Sequence, residues 1–141
     1  MSTVYRSHRE SDTIRFAREL ALEIGGGSVV LLFGELGAGK TAFVRGLVEG
    51  AGGETDQVSS PTFTLIQPYA GHITVNHVDL YRVKPRDVDE LGLDELSTSS
   101  TIVAIEWADR LQRPPGPGQA IRVYISDEGD DERDIRVEVD A

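Results

Sequence analysis

Between Thr13 and Ile24 the apolar residues fall at Ile14, Ala17, Leu20, Ala21 and Ile24, the three- and four-residue spacing of a helix buried along one stripe. Ser11 or Asp12 is available to cap its start, and Gly25 to Gly27 end it. Ser28 to Phe33 then reads SVVLLF, a β-branched and almost wholly apolar run of the kind that forms a strand covered on both faces in a parallel sheet. Glycines interrupt the chain from Gly34 to Gly39, and helical spacing resumes from Lys40 to Glu49 through Phe43, Val44, Leu47 and Val48. The pattern therefore predicts strand, glycine loop and helix in that order.

Downstream, Ala51 to Ser60 reads as an irregular loop closed by Pro61. Two strand-like stretches, Thr62 to Tyr69 and His72 to Asp79, flank Ala70 and Gly71, a two-residue spacer suited to a hairpin. Pro85 to Leu96 predicts one or two short helices whose Val88, Leu91 and Leu96 share a face. Thr101 to Ile105 is a brief apolar strand that runs into Glu106 and Trp107, and Arg113 to Gly118 (RPPGPG) is a stiff connector. A second hairpin is expected from Ala120 to Ser126 and Asp134 to Val139, joined by the acidic, solvated stretch Asp127 to Glu132. Strands alternating with helices give an α/β class, with a mixed central sheet, antiparallel hairpins and flanking helices in three layers. At 141 residues, a single domain spanning residues 1–141 is expected.

Charge narrows the possible partners. Fourteen Lys and Arg against twenty-four Asp and Glu leave a net charge of −10, which disfavours unaided binding to nucleic acid or to anionic membranes. Cysteine is absent, so disulfides, thiolate metal sites and thiol catalysis are excluded. His8, His72 and His77 fit no zinc spacing and are expected to be ordinary surface or strand histidines. The first residues carry no apolar signal-peptide core, and the longest apolar run is too short to span a bilayer, so a cytoplasmic protein without membrane contact is expected.

The glycine segment carries the chemistry. Gly34, Glu35, Leu36, Gly37, Ala38, Gly39, Lys40 and Thr41 match G-x-x-x-x-G-K-[ST], the phosphate-binding loop of nucleoside triphosphatases. Glycines let the backbone amides close on phosphate oxygens at the start of a helix, where the helix dipole also favours an anion. Lys40 reaches the β- and γ-phosphates, and the Thr41 hydroxyl is placed to bind Mg²⁺. Twelve of the fourteen basic residues are arginine, so a chain that nearly avoids lysine keeps one at this position.

A P-loop enzyme also needs acids at the ends of neighbouring strands to hold Mg²⁺ and to position the attacking oxygen. Asp79 and Glu106 each end a predicted strand and would meet the loop if those strands run parallel to the first. Trp107, the only tryptophan, either packs the core or walls the site. Thr62 either begins a strand or senses the γ-phosphate from the loop Ser59 to Thr62.

Taken in order, GELGAGKT, SPTFTL (Ser60 to Leu65), HVDLYR (His77 to Arg82), DELGLDEL (Asp89 to Leu96) and IEW (Ile105 to Trp107) resemble the bacterial TsaE (YjeE) family over about residues 11–107. Those proteins are small P-loop ATPases of tRNA threonylcarbamoyladenosine (t6A) biosynthesis. The resemblance implies ATP and Mg²⁺ as ligands, TsaD and TsaB as protein partners, and hydrolysis that resets their complex without transfer of the threonylcarbamoyl group by this chain. It also implies phosphate and magnesium roles for Lys40 and Thr41, an essential Asp79, a second magnesium acid in Glu106 and an adjacent Trp107. Glu35 stands where other members often carry Asp, at a variable position of the loop. Two further readings of the same loop are a small-molecule kinase, with residues 84–100 as its lid, and a nucleotide-dependent assembly switch with little turnover.

Overall fold

The computed structural model describes residues 2–35, 39–56, 58 and 65–139. Its organising element is the apolar strand β2 (Ser28–Phe33), in which Ser28 to Leu32 are all buried. Such a strand is stable only when paired on both edges and covered on both faces. β5 (Thr101–Glu106) and β6 (Gln119–Gly129) supply the edges, and both run parallel to β2. β4 (Thr74–Asp79) is parallel to β5, with Asp79 opposite Glu106. β3 (Ile66–Tyr69) closes one side antiparallel to β4. On the other side β7 (Glu132–Val139) pairs antiparallel with β6, and β1 (Ser2–Ser7) with β7. Among the described residues the sheet has seven strands, in the order β1-β7-β6-β2-β5-β4-β3.

Alternate residues of the parallel strands face opposite layers. Val30, Leu32, Ile102, Ala104, Ile121 and Val123 pack under α1 (Glu10–Ile24) and α2 (Lys40–Gly50). Val29, Leu31, Val103 and Ile105 face the other way, against a 3₁₀ helix (Pro85–Leu91), α3 (Leu93–Leu96) and a 3₁₀ turn (Ala108–Arg110). This is the three-layer α/β P-loop NTPase arrangement expected from the pattern.

Four differences from the sequence reading have local causes. α1 begins at Glu10, three residues early, because Asp12 accepts the His8 N–H (3.1 Å) and holds the extra turn without a cap from Arg9. The first hairpin turns over residues 70–73, where Ile73 donates to the Ala51 carbonyl (3.2 Å) and docks the turn on the end of α2. The second hairpin extends into the acidic stretch and turns at Asp130 and Asp131, whose φ of 50° and 66° suit a tight two-residue connection. β1 was not expected at all. It is a largely exposed edge strand anchored by Tyr5 stacked on Phe16 (4.7 Å, 16°), with little apolar periodicity of its own.

Candidate functional site

The parallel order β2-β5-β4 carries the C-terminal ends of all three strands to one rim, and α2 begins at that rim directly after the glycine loop. Gly39 caps α2 with φ of 104°, a conformation that a side chain disfavours, and this lets the backbone turn from loop into helix. Leu36, Gly37 and Ala38 lie outside the described residues, as do Thr62 and most of the SPTFTL segment. Gly34 and Glu35 lead into the loop from β2, and Thr41 is half-buried one residue into α2.

Lys40, 4% exposed, extends back along the loop, and its Nζ donates to the Gly34 carbonyl at 2.7 Å. The same Nζ lies 4.2 Å from the centre of the Trp107 ring. Trp107 has a left-handed backbone (φ 60°) that turns the chain sharply at the end of β5, and its ring leans on Tyr81 at 5.0 Å. Both readings of this tryptophan keep a basis, since its ring stands beside the lysine and also packs against the layer of Val29, Leu31, Val103 and Ile105. Arg110 approaches the same ring at 5.8 Å, whereas Arg82 is exposed.

The two acids meet across the β4–β5 pair. Asp79 Oδ1 accepts the Tyr81 N–H at 2.9 Å, a local turn that fixes the carboxylate at the strand end. Burial pushes the Asp79 carboxyl above the usual range and the charge of Glu106 adds to this, against the opposing Tyr81 N–H, His77 and Lys40. Lys40 is shifted the other way. Burial pulls its ammonium below the usual lysine value, while Glu106, Asp79 and Asp109 oppose that shift. The site thus holds a partly desolvated cation facing partly desolvated carboxylates, a combination common where charge is to be exchanged with a ligand.

Glu106 has a partner that the sequence reading missed. His77, fully buried in β4, brings Nε2 to 2.5 Å from Glu106 Oε2. The available signal was positional: His77 and Asp79 are two residues apart and share one face of the strand, the face on which Glu106 also lies. Beside the loop, a 240 Å³ cleft opens between Gly39 and Ala42 of α2, Glu10 and Thr13 of α1, and Asp131 and Arg133 of the second hairpin.

Comparison with known proteins agrees with this geometry. A family model for threonylcarbamoyl adenosine biosynthesis protein TsaE matches residues 7–135. The chain belongs to the TsaE family. A TsaE of a Nostoc species, named as a tRNA threonylcarbamoyladenosine biosynthesis protein, is 38% identical over 140 residues, covering 96% of this chain and 85% of that protein. The protein of the same name from Bacillus subtilis is 38% identical over 132 residues, with 93% and 82% covered. That from Rickettsia bellii is 42% identical over 102 residues, with 71% and 70% covered. The crystal structure of YdiB from Bacillus subtilis superposes with a TM-score of 0.74 at 31% identity, covering 97% of this chain and 84% of that one. The match to TsaE proteins reaches beyond the residues 11–107 that carry the motifs and takes in the second hairpin. Among the described residues, no helix is long and apolar enough to cross a membrane.

Proposed function

We propose that this TsaE-family chain is a Mg²⁺-dependent ATPase of t6A biosynthesis that acts on a complex of TsaB and TsaD and resets it by hydrolysis. The observation that carries the reading is the convergence of Lys40, Asp79 and Glu106 at the mouth of the glycine loop, from three elements distant in sequence. In this scheme the loop amides and Lys40 bind the β- and γ-phosphates, and the cleft beside Gly39 and Ala42 takes the nucleoside end.

The donor set fits magnesium. It consists of carboxylate and hydroxyl oxygens. Among the described residues, no cluster of three or more His, Cys, Asp or Glu side chains is arranged to cage a metal. Magnesium in nucleotide sites takes one or two protein oxygens and completes its shell with phosphate and water. Thr41 and Glu106 would hold it. When bound, it supplies charge neutralisation on the phosphate oxygens. Asp79 is the better choice for orienting the attacking water and taking its proton, because burial raises its carboxyl above the ordinary carboxylate value.

Turnover by the isolated chain is expected to be slow, since Arg82 is exposed and Arg110 is drawn to Trp107 and the Tyr81 carbonyl (3.5 Å). The kinase reading has less support because Val88 and Leu93 tie residues 85–96 into the apolar layer of Val29, Leu31, Val103 and Ile105. Phosphate release from ATP, measured with and without TsaB and TsaD, tests the proposal. Stimulation by the partners and release of inorganic phosphate alone are expected. A phosphorylated metabolite would favour the kinase, and complex formation without turnover would favour the switch. Lys40→Ala should weaken Mg·ATP binding by about 100-fold or more in calorimetry, as expected for loss of a buried charge-assisted contact. Preserved affinity in that variant would overturn the scheme.

A further inference from the structure

We propose that His77 is a positioning residue for Glu106, holding its carboxylate through an Nε2–H···Oε2 hydrogen bond so that the remaining oxygen, Oε1, is left to meet a ligand at the rim of the sheet. Three observations carry this. His77 is fully buried in a strand whose neighbours Val75 and Val78 are core residues, a place an aliphatic side chain would fill without polar cost. Its Nε2 lies 2.5 Å from Glu106 Oε2. Its Nδ1, equally buried, has no hydrogen-bond partner among the described residues. A histidine that merely filled space would leave both nitrogens without purpose. Here one is spent entirely on a single carboxylate.

The chemistry fixes the tautomer. A carboxylate oxygen accepts, so Nε2 must carry the proton. Nδ1 then presents only a lone pair to the core, which is easier to leave unpaired than an N–H. The arrangement also answers a problem posed by the site itself. Glu106 lies close enough to Lys40 to influence its ionisation, and a glutamate free to rotate would swing onto that ammonium. Instead Lys40 donates to Gly34 O and Glu106 accepts from His77, so acid and amine are held ready without neutralising each other. Asp79 is held in the same manner by the Tyr81 N–H. Each carboxylate at the rim therefore has one oxygen fixed by its surroundings, which is how supporting residues pre-arrange groups that bind a ligand.

The catalytic consequence rests on the ATPase reading, but the hydrogen bond does not, and the test separates the two. In ligand-free protein, ¹⁵N spectra of the imidazole should show His77 protonated at Nε2 and bare at Nδ1, with the Nε2 signal displaced in Glu106→Ala. Protonation at Nδ1 instead would overturn the proposal. Three variants then test the role. Gln can place an amide nitrogen near the former Nε2, Asn is too short to do so, and Leu fills the space only.

His77→Asn and His77→Leu should lower kcat and raise the Mg²⁺ concentration for half-maximal hydrolysis, each by about tenfold or more. Affinity for a fluorescent ADP analogue in EDTA should stay within about twofold, because the loop and Lys40 provide it. His77→Gln should recover most of the turnover. Equal losses in the Gln and Asn variants, or losses that follow melting temperature alone, would overturn the role. If wild-type protein with its partners hydrolyses no ATP, the ATPase reading fails, and the tautomer decides the positioning claim by itself.

Discussion

Asp79 shows the conflict between site and stability in one side chain. Its carboxyl is raised by burial first and by Glu106 next, so folding binds a proton there that the unfolded chain releases at lower pH. Between the ordinary carboxylate range and this raised value the native state holds more protons than the unfolded one, and stability falls as pH rises through that window. Above it the full cost of the partly buried charge is present. Asp79→Asn keeps an acceptor for the Tyr81 N–H and removes the charge. In nucleotide-free and metal-free protein it should melt on the order of 2–4 °C higher at pH 7 and lose the advantage on acidification. The same variant should lower hydrolysis by about 100-fold or more, the usual worth of a positioned base. Melting curves between pH 4 and 8 decide the first point. A variant less stable than wild type at pH 7 would show that Asp79 is well solvated or well paired, against the geometry.

At the scale of elements, the position of Lys40 depends on how closely α2 can approach α1. Gly46 sits at their contact, where an added Cβ would come within 2.3 Å of the Ile14 carbonyl and 2.6 Å of the Ala17 methyl. Alanine is the better helix former by about 1 kcal/mol. Overpacking against backbone costs about 1–3 kcal/mol and the helices must part to relieve it. Gly46→Ala is therefore expected to destabilise in urea titration by up to about 2 kcal/mol after that offset. A stabilised variant would mean the helices have slack.

This contact is not legible in the sequence, because the apolar spacing of Phe43, Val44, Leu47 and Val48 marks the helix but not the partner helix that Gly46 lets approach. What was legible has a common physical character. β2, β5 and α2 are written in apolar periodicity because they are buried by their own side chains, and the rim acids could be placed from strand ends alone. β1 and the long arms of β6 and β7 are held by partners distant in sequence. Arg6, for example, bonds Asp134 and lies 3.5 Å from Glu132, and no local pattern announces such a pairing. His77 escaped for the same reason, since its partner Glu106 is far along the chain and meets it only once β4 and β5 are in register.

For the molecule as a whole, the question is what a tRNA-pathway protein of net charge −10 can touch. Phosphate-backbone binding draws on basic side chains able to displace counterions, and many of those here pair with acids on their own surface. Arg6 pairs with Glu132 and Asp134, Arg15 with Asp12, Arg18 with Glu49, Arg45 with Glu10, Arg113 with Asp94, Arg133 with Asp127 and Arg136 with Glu138. Exposed pairs of this kind add little stability, but each sets an acid beside an arginine that a phosphate would otherwise meet. Lys40, the basic group most deeply set, points into the nucleotide loop. The isolated chain should therefore form no tRNA complex tighter than about 1–10 μM near 0.15 M salt, the range of weak non-specific binding. Adding TsaB and TsaD should produce a complex whose salt dependence belongs to them and is unchanged when exposed arginines such as Arg113 are replaced by Gln. A gel shift in the nanomolar range by this chain alone, lost steeply with added salt, would show a basic surface that outweighs the net charge of −10. The proposed division of labour, with nucleotide hydrolysis here and RNA contact elsewhere, would then have to be abandoned.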